Sequence, residues 1–111
     1  MSSVNNSELA CKVVIGQQEI QLVLNGDLTI AEVASVHHDA IRAIAAGIPI
    51  TVDLSGVTYL DAAMLQLLAA MRTAAAGLHI GLTLKHASET LHEDAQLLGL
   101  SKVLLGDPGV G

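Results

Sequence analysis

Between Ile48 and Ala70 the spacing of apolar residues changes period once, and that change limits what the chain can become. Ile48, Ile50, Val52 and Leu54 recur at every second position, the spacing of a strand with one buried face. A polar run, Asp53-Leu54-Ser55-Gly56-Val57-Thr58, then reads as a turn. Tyr59-Leu60-Asp61 leads into a helix rich in alanine and leucine, with Asp61 at its N-cap. A strand feeding a capped helix gathers free backbone N–H groups and the positive end of a helix dipole at one surface point. A signalling domain can read or carry a phosphate there.

The same alternation recurs on either side. Lys12–Ile15 and Glu19–Leu24 read as strands joined by Gly16-Gln17-Gln18. Ile20, Leu22 and Leu24 alternate with Gln21, Val23 and Asn25, and Gly26 ends the run. Asp27 or Thr29 can cap a first helix over Ile30–Ala46, with Val33, Val36, Ala40, Ile41 and Ile44 at helical spacing and Gly47 at its C-terminus. Pro49 opens the next strand, where a missing N–H is tolerated. The second helix, Ala62–Ala76, has Leu65, Leu68 and Met71 on one stripe, Leu67 beside it, and Gly77 at its close. His79–Leu84 is a strand, and Ser88 caps a third helix whose apolar side is Leu91, Ala95 and Leu98. Leu100–Leu105 supplies a short last strand or turn.

The order is therefore ββαβαβα plus a short final element. Strand–helix alternation after an opening hairpin implies parallel pairing with right-handed crossovers. The expected class is α/β, one mixed sheet of four to five strands with helices packed against it. A flexible N-terminus over residues 1–9, a single domain over 10–106 and a flexible tail over 107–111 complete the expected organisation.

Composition narrows the functions. A chain of 111 residues can bury one core, and with Tyr59 as its one aromatic residue that core must be aliphatic. The formal charge of -6, with five scattered basic residues, argues against nucleic acid, whose binding needs Lys and Arg against phosphates. A single cysteine, Cys11, leaves no internal disulfide and fits a reducing compartment. The opening MSSVNNSELA lacks the basic and apolar regions of a signal peptide, and no apolar run reaches the ~18 residues of a membrane span. A cytoplasmic protein without direct membrane insertion is expected.

The residues offer little catalysis. His37 and His38 are adjacent, so on a helix they point ~100° apart and chelate one ion poorly. His86 and His92 match no standard metal spacing, Cys11 has no evident base, and there is no phosphate-binding glycine loop. Neither a cofactor nor a metal is called for, and no enzyme is expected. Asp53 and Asp61 are the best carboxylate pair, expected at one sheet edge. Two roles stay open for them: holding turn and helix N–H groups, and shaping a partner-facing surface. Ser55 and Thr58 can form the turn or accept phosphate, and Thr29 and Ser88 are cap candidates.

At Asp53-Leu54-Ser55 and Asp61 the chain resembles the STAS domain, the family of bacterial anti-sigma-factor antagonists. The family's Asp-Ser-Ser-Gly opens a helix; here the four residues are Asp61-Ala62-Ala63-Met64. Leu24-Asn25-Gly26-Asp27-Leu28-Thr29 is similar to the family's Gly-acidic-Leu turn, and Leu97-Leu98-Gly99-Leu100 to the close of its third helix. The resemblance extends from about Val13 to about Leu105. In the family a partner kinase phosphorylates the second serine; Ala63 has no hydroxyl, so it is a degenerate phosphosite. Met64 stands where the family has glycine, and either packs under the loop or offers a flexible apolar contact. The resemblance implies a non-catalytic interaction module. Its partner surface would comprise Asp27, Thr29, Asp53, Ser55, Gly56, Thr58, Asp61, Ala62, Ala63 and Met64. The implied partner is a histidine-kinase-like anti-sigma factor or a chemotaxis component. An accessory subunit of a lipid-transport ABC system is an alternative, and a small-ligand or nucleotide sensor is the rival from another class. The oligomeric state stays open.

Overall fold

Seven elements follow one another in the computed structural model, which describes residues 11–100 and Val103. They are β1 (Cys11–Ile15), β2 (Ile20–Leu28), α1 (Ile30–Ala45), β3 (Ile50–Leu60), α2 (Ala62–Gly77), β4 (Leu82–Lys85) and α3 (Glu89–Leu97). The expected order ββαβαβα is the one observed. Val103 is helical; the remainder of the expected final element, and the N-terminal and C-terminal segments expected to be flexible, lie outside the described residues.

The four strands form one mixed sheet in the order β1-β2-β3-β4. β1 runs antiparallel to β2, and β2, β3 and β4 are mutually parallel. Both crossovers, β2-α1-β3 and β3-α2-β4, step the same way across the sheet, so right-handed connections put both helices on one face. The core lies there. Ile20, Leu22 and Leu24 of β2 and Ile50, Val52 and Leu54 of β3 are buried with Val36 and Ala40 of α1 and Leu65, Leu68 and Met71 of α2. Each such large aliphatic side chain contributes ~1.5–3 kcal/mol by leaving water. The alternate residues Gln21, Val23 and Asp53 are half-buried on the other face, and Thr83 and Lys85 are exposed.

Each helix starts on a side-chain oxygen. Thr29 opens α1: its hydroxyl accepts from the Ala31 N–H at 3.3 Å, and Glu32 accepts the Thr29 N–H at 2.8 Å, a capping box. Ser88 opens α3, accepting from the Leu91 N–H at 3.1 Å. After α2 the left-handed residue is His79, at φ 61°, and not Gly77. The expected His79–Leu84 strand therefore starts only at Leu82.

The larger difference is in β3. The polar run Asp53–Thr58 is not a turn: the strand continues through it to Leu60. Gly26 likewise does not end β2, which runs on to Leu28. The reason is two β-bulges. Between Val23 and Asn25 of β2, β3 advances from Asp53 to Gly56; between Gly26 and Asp27 it advances from Val57 to Tyr59. Each step puts one extra residue in β3, which breaks the two-residue period that marks a strand in sequence.

Candidate functional site

Leu28 and Leu60 pair at the end of the β2–β3 ladder, where the starts of α1 and α2 meet. Asp61 joins these four elements. Its Oδ1 accepts from the Met64 N–H at 3.0 Å, capping α2. Its Oδ2 accepts from the Ile30 N–H at 2.8 Å, in the first turn of α1. Its own N–H donates to the Leu28 carbonyl at 3.1 Å. One carboxylate thus satisfies orphan N–H groups of two helices whose positive dipole ends both favour it. The α2 cap was legible at the strand–helix junction; the tie to Ile30, 31 residues away in sequence, was not.

Behind this junction the bulges give the neighbouring polar residues fixed partners. Thr58, the extra residue of the second bulge, donates its hydroxyl to Asp27 Oδ1. Ser55, in the first bulge, donates its N–H to Asp53 Oδ1 at 2.9 Å. That N–H and the Ser55 hydroxyl hold the Asp53 carboxyl below its ordinary range, with smaller help from His86 and Lys85. Gly56 is required by a close approach: a Cβ there would stand 2.1 Å from Asn25 Oδ1. Gly26, opposite Val57, takes φ 80°, a left-handed conformation that favours glycine. Asn25 was missed as part of the site because Asn25-Gly26 reads as a strand end.

The ten candidate residues do not form one point. Asp27, Thr29, Thr58, Asp61, Ala62 and Ala63 gather where β2 and β3 meet α1 and α2. Asp53 and Ser55 lie back along β3, beside Lys85 and His86. At about 3.3 Å per residue, the eight steps from Asp53 to Asp61 span up to roughly 25 Å. The expectation of a carboxylate pair at one sheet edge is therefore corrected; it failed because the presumed turn is extended strand. Ser55, Gly56, Thr58 and Asp27 are exposed and Thr29 is half-buried.

The start of α2 presents Ala62 to solvent and Ala63 half-buried at its second position. Met64 and Leu65 are both buried, at 0 % and 1 % exposure, so neither side chain is available to a partner. The partner-contact reading of Met64 is corrected for a packing reason: Met64, Leu68, Met71 and Ala75 recur at four, three and four residues and form the buried stripe of α2.

Among the described residues, no three His, Cys, Asp or Glu side chains converge as metal ligands. Among the same residues, no helix is long and apolar enough to cross a membrane.

Comparison with known proteins agrees with this geometry. A family model described as "Mlab, STAS domain" matches residues 11–106, and the chain belongs to the STAS domain family. No curated protein matches it. Among solved structures it is similar to TM1081 of Thermotoga maritima, at 16 % identity and TM-score 0.73, covering 86 % of this chain and 83 % of that one. It is also similar to the phosphorylated form of the Bacillus cell fate determinant SpoIIAA, at 17 % identity and TM-score 0.69, covering 86 % and 89 %. A third likeness is to Mglu, at 14 % identity and TM-score 0.66; it covers 72 % of this chain but only 20 % of Mglu, so there the fold is part of a longer chain. At these identities the likeness shows a shared fold. The STAS fold, with its mixed sheet and three helices, is a signalling or interaction module, a class that is generally non-catalytic.

Proposed function

We propose that this chain binds a signalling protein of the kinase-like anti-sigma-factor type without switching by phosphorylation at the usual serine. The surface we assign to binding is the Asp61 junction: Asp27, Thr29 and Thr58 with Asp61, Ala62 and Ala63. The observation that carries the reading is the start of α2. Asp61 caps it and ties it to α1, while the phosphoacceptor position holds Ala63, a methyl group that no kinase can modify. A surface held by two helix caps is preorganised for a protein partner, which lowers the cost of ordering on binding. Without a hydroxyl at Ala63, binding is constitutive or is regulated elsewhere.

A second reading concerns the partner alone. The matching family model carries the description Mlab, so the accessory subunit of a lipid-transport ABC system, which the family resemblance also implies, stands as the alternative to a sigma-factor circuit. Both readings use the same surface.

The test is capture of partners by tagged wild type and by Ala63→Glu, with circular dichroism to confirm folding. A glutamate in the first helical turn suits the dipole, so the fold is expected to survive. The expected result is a partner held by wild type and lost with folded Ala63→Glu; the partner's identity decides between the two readings. Equal capture by both proteins removes the Asp61 junction as the interface.

A further inference from the structure

Beside the Asp61 junction, two adjoining hollows of about 350 Å³ and 240 Å³ run between the last residues of β3 and α3. Tyr59, Leu60 and Asp94 line both, and Leu97 and Leu98 close one end. Large apolar side chains stand in solvent around them: Leu97 is 84 % exposed, Tyr59 54 % and Leu98 42 %. Leu98, expected on the apolar side of α3, instead ends that helix, whose buried residues are Leu91 and Ala95. Clustered exposed apolar residues of this kind mark interaction surfaces.

The rim is acidic. Asp61 and Asp94 line the groove, Asp27 holds Thr58 at its edge, and among the described residues no Lys, Arg or His lines either hollow. Both Asp61 oxygens are engaged by helix N–H groups. Asp94 differs: among the described residues its carboxylate has neither a hydrogen bond nor an ion pair. An apolar groove with an unpaired carboxylate on its wall is complementary to apolar side chains flanked by a cation. The acidic rim would repel an anionic lipid surface.

We infer that the groove between β3 and α3 receives a cationic amphipathic segment of the protein partner. Its apolar side chains fill the hollow against Leu60 and Leu97, and a Lys or Arg pairs with Asp94. The inference rests on the interaction-module reading and gives that module a partner chemistry.

The test uses a helical peptide built of leucine and lysine, and the same pattern with glutamate for lysine. Neither contains an aromatic residue, and Tyr59 is the only one in this protein, so tyrosine emission reports the groove wall directly. The expected result is saturable binding of the lysine peptide with a change in Tyr59 emission, and about tenfold or greater weakening for the glutamate peptide, Asp94→Lys and Leu97→Asp. Leu97 is exposed, so its replacement leaves the fold intact. Asp94→Asn, which keeps the side-chain shape, is expected to weaken binding in the same direction. Glu19→Lys makes the same charge change at the opposite end of the sheet, and binding is expected to stay within about twofold.

Absent binding, or an equal loss with Glu19→Lys and Asp94→Lys, overturns the inference, the latter because it reports net charge alone. Binding that appears only after residues 104–111 are removed also overturns it, by making the chain's own tail the occupant. The two readings separate with the captured partner. Loss of capture with Ala63→Glu but not with Asp94→Lys or Leu97→Asp retains the module and discards this groove.

Discussion

The two halves of β3 face different tasks. From Ile50 to Asp53 the strand pairs on both sides, with Ile20–Val23 of β2 and Leu82–Lys85 of β4, in unbroken register. From Gly56 to Leu60 it pairs, among the described residues, with β2 alone, after one bulge and through a second, and its side chains are polar or exposed except for the partly buried Val57 and Leu60. The first half carries the core; the second aims residues at the junction of α1 and α2. A bulge changes which face a side chain reaches, so a strand can leave the core pattern without ending. Stability is concentrated in the regular half, and the candidate chemistry sits in the irregular one.

Substitutions can break that division or sharpen it. The largest effect is expected where β2 pairs with the regular half: Leu22→Ala, opposite Val52, should cost ~2–5 kcal/mol in a denaturant titration, through lost burial and the cavity left behind. Thr58→Val, at the second bulge, should cost about 1 kcal/mol, the worth of one exposed hydrogen bond. Equal costs at the two positions would erase the contrast.

Gly56→Ala is expected next, at ~1–3 kcal/mol, because its Cβ meets the Asn25 amide oxygen. The obstacle is a side chain, so Gly56→Ala combined with Asn25→Ala should recover most of the loss. A double-mutant cycle reads this, and an additive result would place the strain in the backbone instead.

Asp61→Ala should cost ~1–2 kcal/mol, and more than Ser88→Ala, since Asp61 serves two helices and Ser88 one. Thermal melts of the two variants make the comparison. If they match, the tie to Ile30 adds nothing to stability.

The smallest effect concerns Cys11, paired with Leu24 at the outer edge of the sheet. Burial, and then the nearby Asp39 carboxylate, push its thiol up to about 12. A raised folded-state value favours the neutral thiol in the fold. Its contribution is therefore complete below the ordinary thiol value of 9.0 and is lost as pH rises from there towards about 12. The melting temperature of wild type should fall over that range and that of Cys11→Ala should fall less. At pH 8 the folded protein should react slowly with a thiol reagent, and fast labelling would contradict the burial.

The fold was legible in the sequence because its periods are regular: alternation in Ile20–Leu24 and Ile50–Leu54, and a helical stripe through Leu65, Leu68 and Met71. The site was legible only in part. Asp61 announced itself as a cap, because an aspartate between a strand and a helix has few other uses. Its second bond could not be read, since nothing local links Asp61 to Ile30. The bulges hid the rest of β3, because an extra residue inverts the alternation and makes a strand resemble a turn. Met64 is different: its place in the buried stripe is present in the spacing, four residues before Leu68, although the resemblance implies a partner contact at that helix-opening position.

Hydrogen exchange on the complex with the captured partner tests the division of β3 most directly. The account predicts new protection at Leu28–Ile30 and Tyr59–Met64, with exchange unchanged at Ile20–Val23 and Leu82–Lys85. Protection confined to the regular half or to the open face of the sheet, with the Asp61 junction unaltered, would contradict it.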